Sequence, residues 1–342
     1  MIKYKEQKQL CFDDILMVPQ TSYVESRSDV DLRMPFGKSS HLSFPVIAAP
    51  MDTVCEEEMA VAIAKAGGLG MIHRFMDIKK QQRIVQNLCL QGLPVGASVG
   101  AKGTYMEDAG KLLLSGASAI LVDTANGHSS YAIKAVKRLR EAFGDNFHLM
   151  AGNVSTKFGF EALSEAGADS IRVGIGGGSV CTTRLVSGHG IPTLASIIEI
   201  KEWKEQNSSD TTIIADGGIR NTGDMIKAFA AGADAVMLGS MLAGTDESPG
   251  SIRIDEAGKY KSFRGMASKE ANEGKDVPIA EGVATKIAYK GPVDKVFSNI
   301  RGGLGSGCSY SGEHRLRNLY EGSMYIEVSS LSVSESRPHA LG

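Results

Sequence analysis

Short apolar runs alternate along this chain with longer stretches of helical periodicity. The runs at 44–49, 69–73, 95–99, 119–123, 148–153, 170–174, 212–216 and 235–239 are each short and mostly apolar. That is the pattern of parallel strands covered by helices, which bury both faces. Four of the runs follow the same kind of junction: AKAGGLGM, LSGASAIL, EAGADSIR and AAGADAVM. A glycine there lets a helix end in the left-handed conformation before the chain turns into the next strand. Eight strands joined by such units predict an α/β fold, a closed (β/α)8 TIM barrel, rather than an open doubly wound sheet.

The unusual residues all fall at or just after strand ends. They are Pro50-Met51-Asp52, His73-Arg74, Asp123–Gly127, Gly152–Val154, Gly174–Arg184, Asp216–Arg220 and Gly239-Ser240. In a barrel these ends converge on one rim, where active sites lie. The opposite junctions carry only the repeated packing glycines, so the asymmetry predicts an enzyme. No linker or low-complexity block divides the chain, which reads as one catalytic barrel domain over 1–342. A charged, breaker-rich segment at about 264–280 (RGMASKEANEGKDVPIA) has the character of an active-site flap. Beyond it come the glycine-rich 300–312 and a polar tail at about 325–342, expected to order only on contact with another subunit.

Composition narrows the class. With 342 residues, 42% hydrophobic and 22% charged, the chain reads as an ordinary soluble globular protein. A formal charge of -2 carries no basic excess, which argues against nucleic acid as the main partner. No apolar stretch is long enough to span a bilayer, and the start MIKYKEQKQL lacks a signal-peptide core, so the expected location is the cytoplasm. Cys11, Cys55, Cys89, Cys181 and Cys308 are scattered without CxxC pairs, which points to neither zinc nor a disulfide framework.

The segment GIGGGSVCTTR (174–184) carries the strongest chemical signal. Gly176, Gly177 and Gly178 let backbone approach a ligand closely. Cys181 is a candidate nucleophile, with the Ser179, Thr182 and Thr183 hydroxyls nearby. The competing reading is a flexible loop with an incidental cysteine. Asp216-Gly217-Gly218 and Gly239-Ser240 follow strands seven and eight, where barrels often bind phosphate, and Asp216 is then free to hold a ribose diol. Asp123 is either a helix N-cap or a polar contact to substrate or cofactor. His73 and Arg74 are a surface pair or a cofactor phosphate contact. The methionines read mostly as core filler, and no His/Asp/Glu cluster has transition-metal spacing.

Taken with AAPMDTV (48–54), VDTANGHS (122–129), MAGNV (150–154), ADGGIRNTGD (215–224), MLGSMLAGTDESPG (237–250) and FRGMAS (263–268), the cysteine segment closely resembles the IMP dehydrogenase/GMP reductase family over nearly the whole chain. The resemblance implies a covalent thioimidate between Cys181 and purine C2, with hydride moving to or from a nicotinamide cofactor. Thr183 then matches the threonine that assists proton transfer. Ser179, Asp216, Gly217, Gly218, Gly239 and Ser240 match phosphate and ribose contacts, and Met51, Asn153, Arg264, Gly265 and Met266 match further substrate contacts. Asp123, Thr124 and Ala125 match the nicotinamide side; Ser26, Arg27 and Arg74 match cofactor positions of reductases. The carbonyls of Gly176, Gly178 and Cys181 match a monovalent-cation site, typically potassium. A homotetramer is implied as well.

Direction of reaction rests on fewer residues. His73 runs straight into MDIKKQQRIV, so the regulatory CBS module that dehydrogenases usually insert there is absent. Between Met266 and Glu281 there is neither arginine nor tyrosine, the pair that dehydrogenases use to activate water. ADGGIRNTGD, ESPG, Arg172, the tail SESRPHALG and the GGG at 176–178 look more dehydrogenase-like, and the flap is shorter than either subfamily usually has. A missing water activator bears directly on chemistry, so the resemblance favours NADPH-dependent reduction of GMP to IMP and ammonia. The alternative is oxidation of IMP with NAD. Glu281, in EGVATKIAYKG (281–291), matches the family glutamate that would protonate the departing amine with Thr183.

Overall fold

The structure is a computed structural model and describes residues 8–37, 40–268, 271 and 279–336. Eight strands pair in parallel: β1 (Val46–Ala48), β2 (Leu69–Ile72), β3 (Val95–Val99), β4 (Ala119–Asp123), β5 (His148–Val154), β6 (Ser170–Val173), β7 (Thr212–Asp216) and β8 (Ala235–Leu238). They follow one another in chain order, and β8 returns to β1 to close the barrel. Every apolar run became a strand, with ends shifted by a residue or two. The (β/α)8 barrel is thus the fold.

Outside the barrel lie α1 (Glu57–Lys65), α2 (Ile78–Leu90), α3 (Tyr105–Leu114), α4 (Ser130–Phe143) and α5 (Lys157–Glu165). The short α6 (Thr183–Ser187) follows β6, and α7 (Thr193–Gln206), α8 (Thr222–Ala230) and α9 (Val293–Tyr310) complete the ring. β2 passes to α2 through residues 73–77 alone. Among the described residues no helix is long and apolar enough to cross a membrane.

Two apolar layers explain the unbroken strand patterns. Ile47, Leu69, Met71, Leu121, Met150, Ile214 and Met237 fill the barrel interior, while Val46, Ile72, Val95, Ile120, Leu149, Ile171 and Ile213 belong to the core that includes the helices. Three of the interior residues are methionines, whose flexible thioethers suit irregular gaps. The hairpin Met34–Phe36/Ser40–Leu42 plugs the N-terminal end through Phe36 and Leu42. The predicted junction glycines adopt the required backbone: φ is +88° at Gly67, +97° at Gly116, +101° at Gly167 and +105° at Gly232.

The glycine-rich 300–312 lies mostly inside α9. A Cβ on Gly305 would stand 2.5 Å from the Arg27 carbonyl oxygen, and one on Gly307 2.4 Å from Ile226. The glycines lower helix propensity but admit neighbours against the helix axis. The tail is not left waiting for another subunit: Tyr325–Glu327 pairs antiparallel with Ile15–Met17, and Ser332–Glu335 forms a further helical turn. Residues 337–342 of that tail lie outside the described residues.

A Cβ on Gly70 would sit 2.7 Å from the Ala60 Cα and Cβ, with helix backbone unable to yield, whereas one on Gly92 meets nothing within 4 Å. Gly70→Ala should cost about 2 kcal/mol by overpacking, and Gly92→Ala, strained only by its φ of +69°, about 1 kcal/mol. Comparing the two melting temperatures checks the order.

His148 stacks on Phe36 with ring centroids 4.0 Å apart and contacts Ser170 Oγ at 2.7 Å. Burial, opposed by Asp169 and aided by Arg140, pushes its pKa down to about 4. The unfolded chain therefore binds the proton more readily. This contribution to stability is complete above the unfolded pKa of about 6.5 and is lost as pH falls toward 4. The melting temperature should drop across that window, and less steeply in His148→Gln.

Candidate active site

Gly174 lets β6 leave the barrel hard against β7. Its φ is +144°, and a Cβ there would fall 1.9 Å from the Asp216 carbonyl oxygen. The loop that follows is held at its tip by a small antiparallel ladder. Thr182 N donates to Glu281 O at 3.0 Å, and Val283 N donates to Val180 O at 3.0 Å. On the far side of that segment, Gly265 N donates to Val283 O at 3.1 Å and Glu281 N to Ala267 O at 3.1 Å. These limbs continue the antiparallel sheet β9 (Arg253–Asp255), β10 (Gly258–Arg264) and β11 (Ala284–Ala288). The 281–283 base of the flap is thus stitched to the cysteine loop, and the 265–267 base is stitched to it in turn. The flap residues 269–270 and 272–278 lie outside the described residues.

A cavity of 320 Å³ opens on this rim. It is lined by Cys181, Thr183 and Glu281, and by Met51, Asn153, Ser179, Gly265 and Met266. The glycine pairs Gly217-Gly218 and Gly239-Ser240 also line it, as do Gly176, Gly178, Asp123, Ala125 and Asp216. Cys181 Sγ donates to Thr183 Oγ1 at 3.2 Å, so a thiol and a hydroxyl able to relay its proton stand side by side. Burial pushes the Cys55 thiol up, raises Cys308 to about 12, and with Asp14 raises Cys11. Those three are held protonated, and none lines the cavity.

Asn153 reaches the rim through an irregularity: β5 and β6 shift register between Gly152 and Val154, leaving it without a ladder partner. Its Nδ2 donates to Gly174 O at 2.9 Å and to Asp216 Oδ2 at 2.7 Å. Asp216 is therefore not free, as the sequence suggested. Oδ2 also accepts from Arg172 Nε at 3.0 Å, while Oδ1 receives none of these bonds. The other end of Arg172 reaches Asp123, Nη1 to Oδ1 at 2.7 Å, and Arg74 Nε stands 3.4 Å from Asp123 Oδ2. Asp123 is thus a partner of two arginines, and neither reading of it from the sequence included them.

Several predicted residues do not line the cavity. Arg264 binds Asp52 through Nε at 2.9 Å and Nη2 at 2.5 Å. Thr124 Oγ1 donates to Gly152 O at 2.9 Å and ties β4 to β5. Ser26 caps a short turn, and Arg27, beside Gly305 of α9, lies 5.8 Å from the Tyr310 ring. His73 is buried, accepting from Phe75 N at 3.2 Å and bonding Glu56 at 3.1 Å, so it serves the scaffold. Sequence reasoning also missed Lys290, whose Nζ donates to the carbonyls of Ser240 at 2.5 Å and Met241 at 3.1 Å. Burial lowers its pKa to about 8. The only hint was its place in the YKG turn.

Residues 9–339 match the family model described as the IMP dehydrogenase / GMP reductase domain. The chain belongs to the IMP dehydrogenase/GMP reductase family. Similar proteins include the inosine-5'-monophosphate dehydrogenases of Nitrosopumilus maritimus (31% identical, covering 96% of this chain and 98% of that protein) and Bacillus subtilis (33%, 96% and 95%). Both alignments run over 468 positions, more than the 342 residues here, so those relatives carry insertions this chain lacks. A solved GMP reductase variant from Trypanosoma brucei, in complex with guanosine 5'-monophosphate, matches with a TM-score of 0.91 at 29% identity. It covers 97% of this chain and 98% of that one. The family consists of purine nucleotide oxidoreductases, so this chain is placed among enzymes of that class.

The Asp52–Arg264 pair yields a direct test. Among the described residues Asp52 Oδ1 is buried without a hydrogen-bond partner, so Oδ2 and its arginine carry the compensation for the charge. Arg264→Met should destabilise the protein by about 2 kcal/mol, with partial exposure of the arginine reducing the full cost of a buried unpaired charge. Adding Asp52→Asn should recover much of that loss in urea unfolding.

Proposed function

We propose that this chain is a GMP reductase, converting GMP to IMP and ammonia with NADPH. The observation that carries the reading is the pairing of Cys181 Sγ with Thr183 Oγ1 at 3.2 Å, in a cavity that Glu281 also lines. Between Met266 and Glu281 the sequence has no arginine or tyrosine to activate water.

The residues divide the work as follows. Cys181 adds through sulfur to purine C2, and Thr183 takes the thiol proton. Thr183 and Glu281 together protonate the exocyclic amine, which leaves as ammonia and leaves a thioimidate on Cys181. A reduced nicotinamide bound beside Asp123 and Ala125 would supply the hydride that ends at C2, and the Cys181–C2 bond then breaks to release IMP. Gly217, Gly218, Gly239, Ser240 and Ser179 hold the phosphate, with backbone amides that no side chain obstructs. Asp216 Oδ1 accepts from the ribose diol.

The cofactor fits the side of the cavity at Asp123 and Ala125, with Arg74 beside Asp123. Ser26 and Arg27, packed on α9, would serve a cofactor only from a neighbouring copy, consistent with a homotetramer. The carbonyls of Gly176, Gly178 and Cys181, all in the cysteine loop, would offer oxygen donors for potassium. Among these, Gly178 O already accepts Cys181 N at 3.1 Å, and a carbonyl oxygen has a second lone pair. A hard monovalent ion there would stiffen the cysteine turn.

The alternative, oxidation of IMP by NAD, is supported by the dehydrogenase names of the relatives cited above. Mixing the protein with each nucleotide–cofactor pair and following reduced-nicotinamide absorbance separates the two. GMP with NADPH should consume the cofactor and release ammonia, Cys181→Ala should abolish this, and Thr183→Val should slow it by about 10²–10⁴-fold. Turnover of IMP with NAD alone would overturn the reductase assignment. No turnover with either pair would indicate a nucleotide-binding protein without catalysis.

A further inference from the structure

We propose that Arg172 is a positioning residue that joins the two halves of this cavity, setting Asp216 for the nucleotide ribose and Asp123 for the cofactor with one guanidinium. The proposal rests on the reading of the site given above and adds a residue that reading did not use.

The geometry is specific. Arg172 projects from β6 and lines the cavity, yet its side chain is only 11% exposed. Nη1 meets Asp123 Oδ1 at 2.7 Å at the end of β4, and Nη2 meets Asp216 Oδ2 at 2.8 Å at the end of β7. Nε adds a second bond to Asp216 Oδ2 at 3.0 Å. Two carboxylates from different strands are thereby fixed relative to one rigid plane. Lysine, with a single point charge on a flexible stem, cannot reproduce that fork.

Burial alone would favour a neutral arginine, but the charges of Asp216 and Asp123 outweigh it and keep the guanidinium charged. The bonding leaves Asp216 Oδ1 for a diol, and Asn153 braces Oδ2 from another direction. Arg74 stands beside the remaining oxygen of Asp123 at 3.4 Å. The result is a line of alternating charges along the rim: Arg74, Asp123, Arg172, Asp216. A strut needed only for folding has no reason to end on the two carboxylates that face the ligands. Removing it frees both at once, so two ligands that contact different carboxylates should weaken together.

The test measures binding of GMP, IMP and NADPH separately by calorimetry, alongside steady-state KM and kcat. In Arg172→Met the affinities for the bound nucleotide and for NADPH should each fall at least tenfold, with both KM values rising more than kcat falls. Arg172→Lys should recover part of the loss for one ligand but not for both. Asp123→Asn, a change on the cofactor side, should weaken nucleotide binding severalfold without cofactor present, and this cross-effect should vanish in the Arg172→Met background. If Arg172→Met does not fold, the Asp123→Asn arm decides alone. Weakening of one ligand only, or nucleotide affinity in Asp123→Asn within twofold of wild type, overturns the proposal and leaves the assignment of the site standing. Wild-type protein that binds neither nucleotide overturns both.

Discussion

Closure of the eight-stranded parallel sheet is the constraint on which the site depends. A closed barrel has no edge, so its backbone groups are satisfied within the sheet, and polar side chains find room only where strands end. Both strand faces are consumed by apolar packing: Met71, Met150 and Met237 inward, and Val95, Ile120 and Ile171 outward. Chemistry is therefore forced to the rim. Asp123, Asn153, Arg172 and Asp216, scattered over about ninety residues of sequence, meet there because four strands end together. Charges gathered on a half-buried rim must compensate one another, since an isolated buried charge is very costly. The arginine between two aspartates is the form that compensation takes.

The glycines at the rim do a second job, which is to let strand exits and loops touch. Gly174 passes beside the Asp216 carbonyl with no room for a side chain, and Gly217 lies against the backbone of Gly177 and Gly178. The cysteine loop and the turn proposed to bind phosphate are thus in backbone contact. Any shift of one is felt by the other, and the position of Cys181 is set relative to the glycines proposed to hold the nucleotide. Lys290, bound to the carbonyls of Ser240 and Met241, fixes the second turn in the same way.

What the sequence made legible follows from the same physics. Strands buried on both faces give apolar runs, and left-handed junctions demand glycine, so β1–β8 and the rim motifs could be placed in advance. Most predicted site residues came together in one cavity because strand-end position is itself the signal. Pairings across the barrel were not legible: nothing local tells Arg172 that its partners lie on β4 and β7, or Arg264 that it will meet Asp52. The glycines of 300–312 sit within α9 and allow α8 and the turn at 26–29 to pack closely on it. The tail misled, because its partner strand, Ile15–Met17, lies at the other end of the chain.

The ladder between the cysteine loop and the flap bases bears on the direction of the chemistry. Thr182 and Glu281 share a backbone hydrogen bond, so the segment carrying the glutamate is registered to the segment carrying Thr183. Hydrolysis of a thioimidate needs a group that removes a proton from water, delivered after the cofactor has moved aside. Expulsion of ammonia needs a proton donor held beside the nucleophile throughout. A glutamate fixed by backbone bonds next to the cysteine loop suits the second task, since with Thr183 it can pass the thiol proton on to the departing amine without travelling. The stretch between Ser268 and Glu281 contains neither the arginine nor the tyrosine of the water-activating pair. The same short connection therefore favours proton donation beside Cys181 over activation of water.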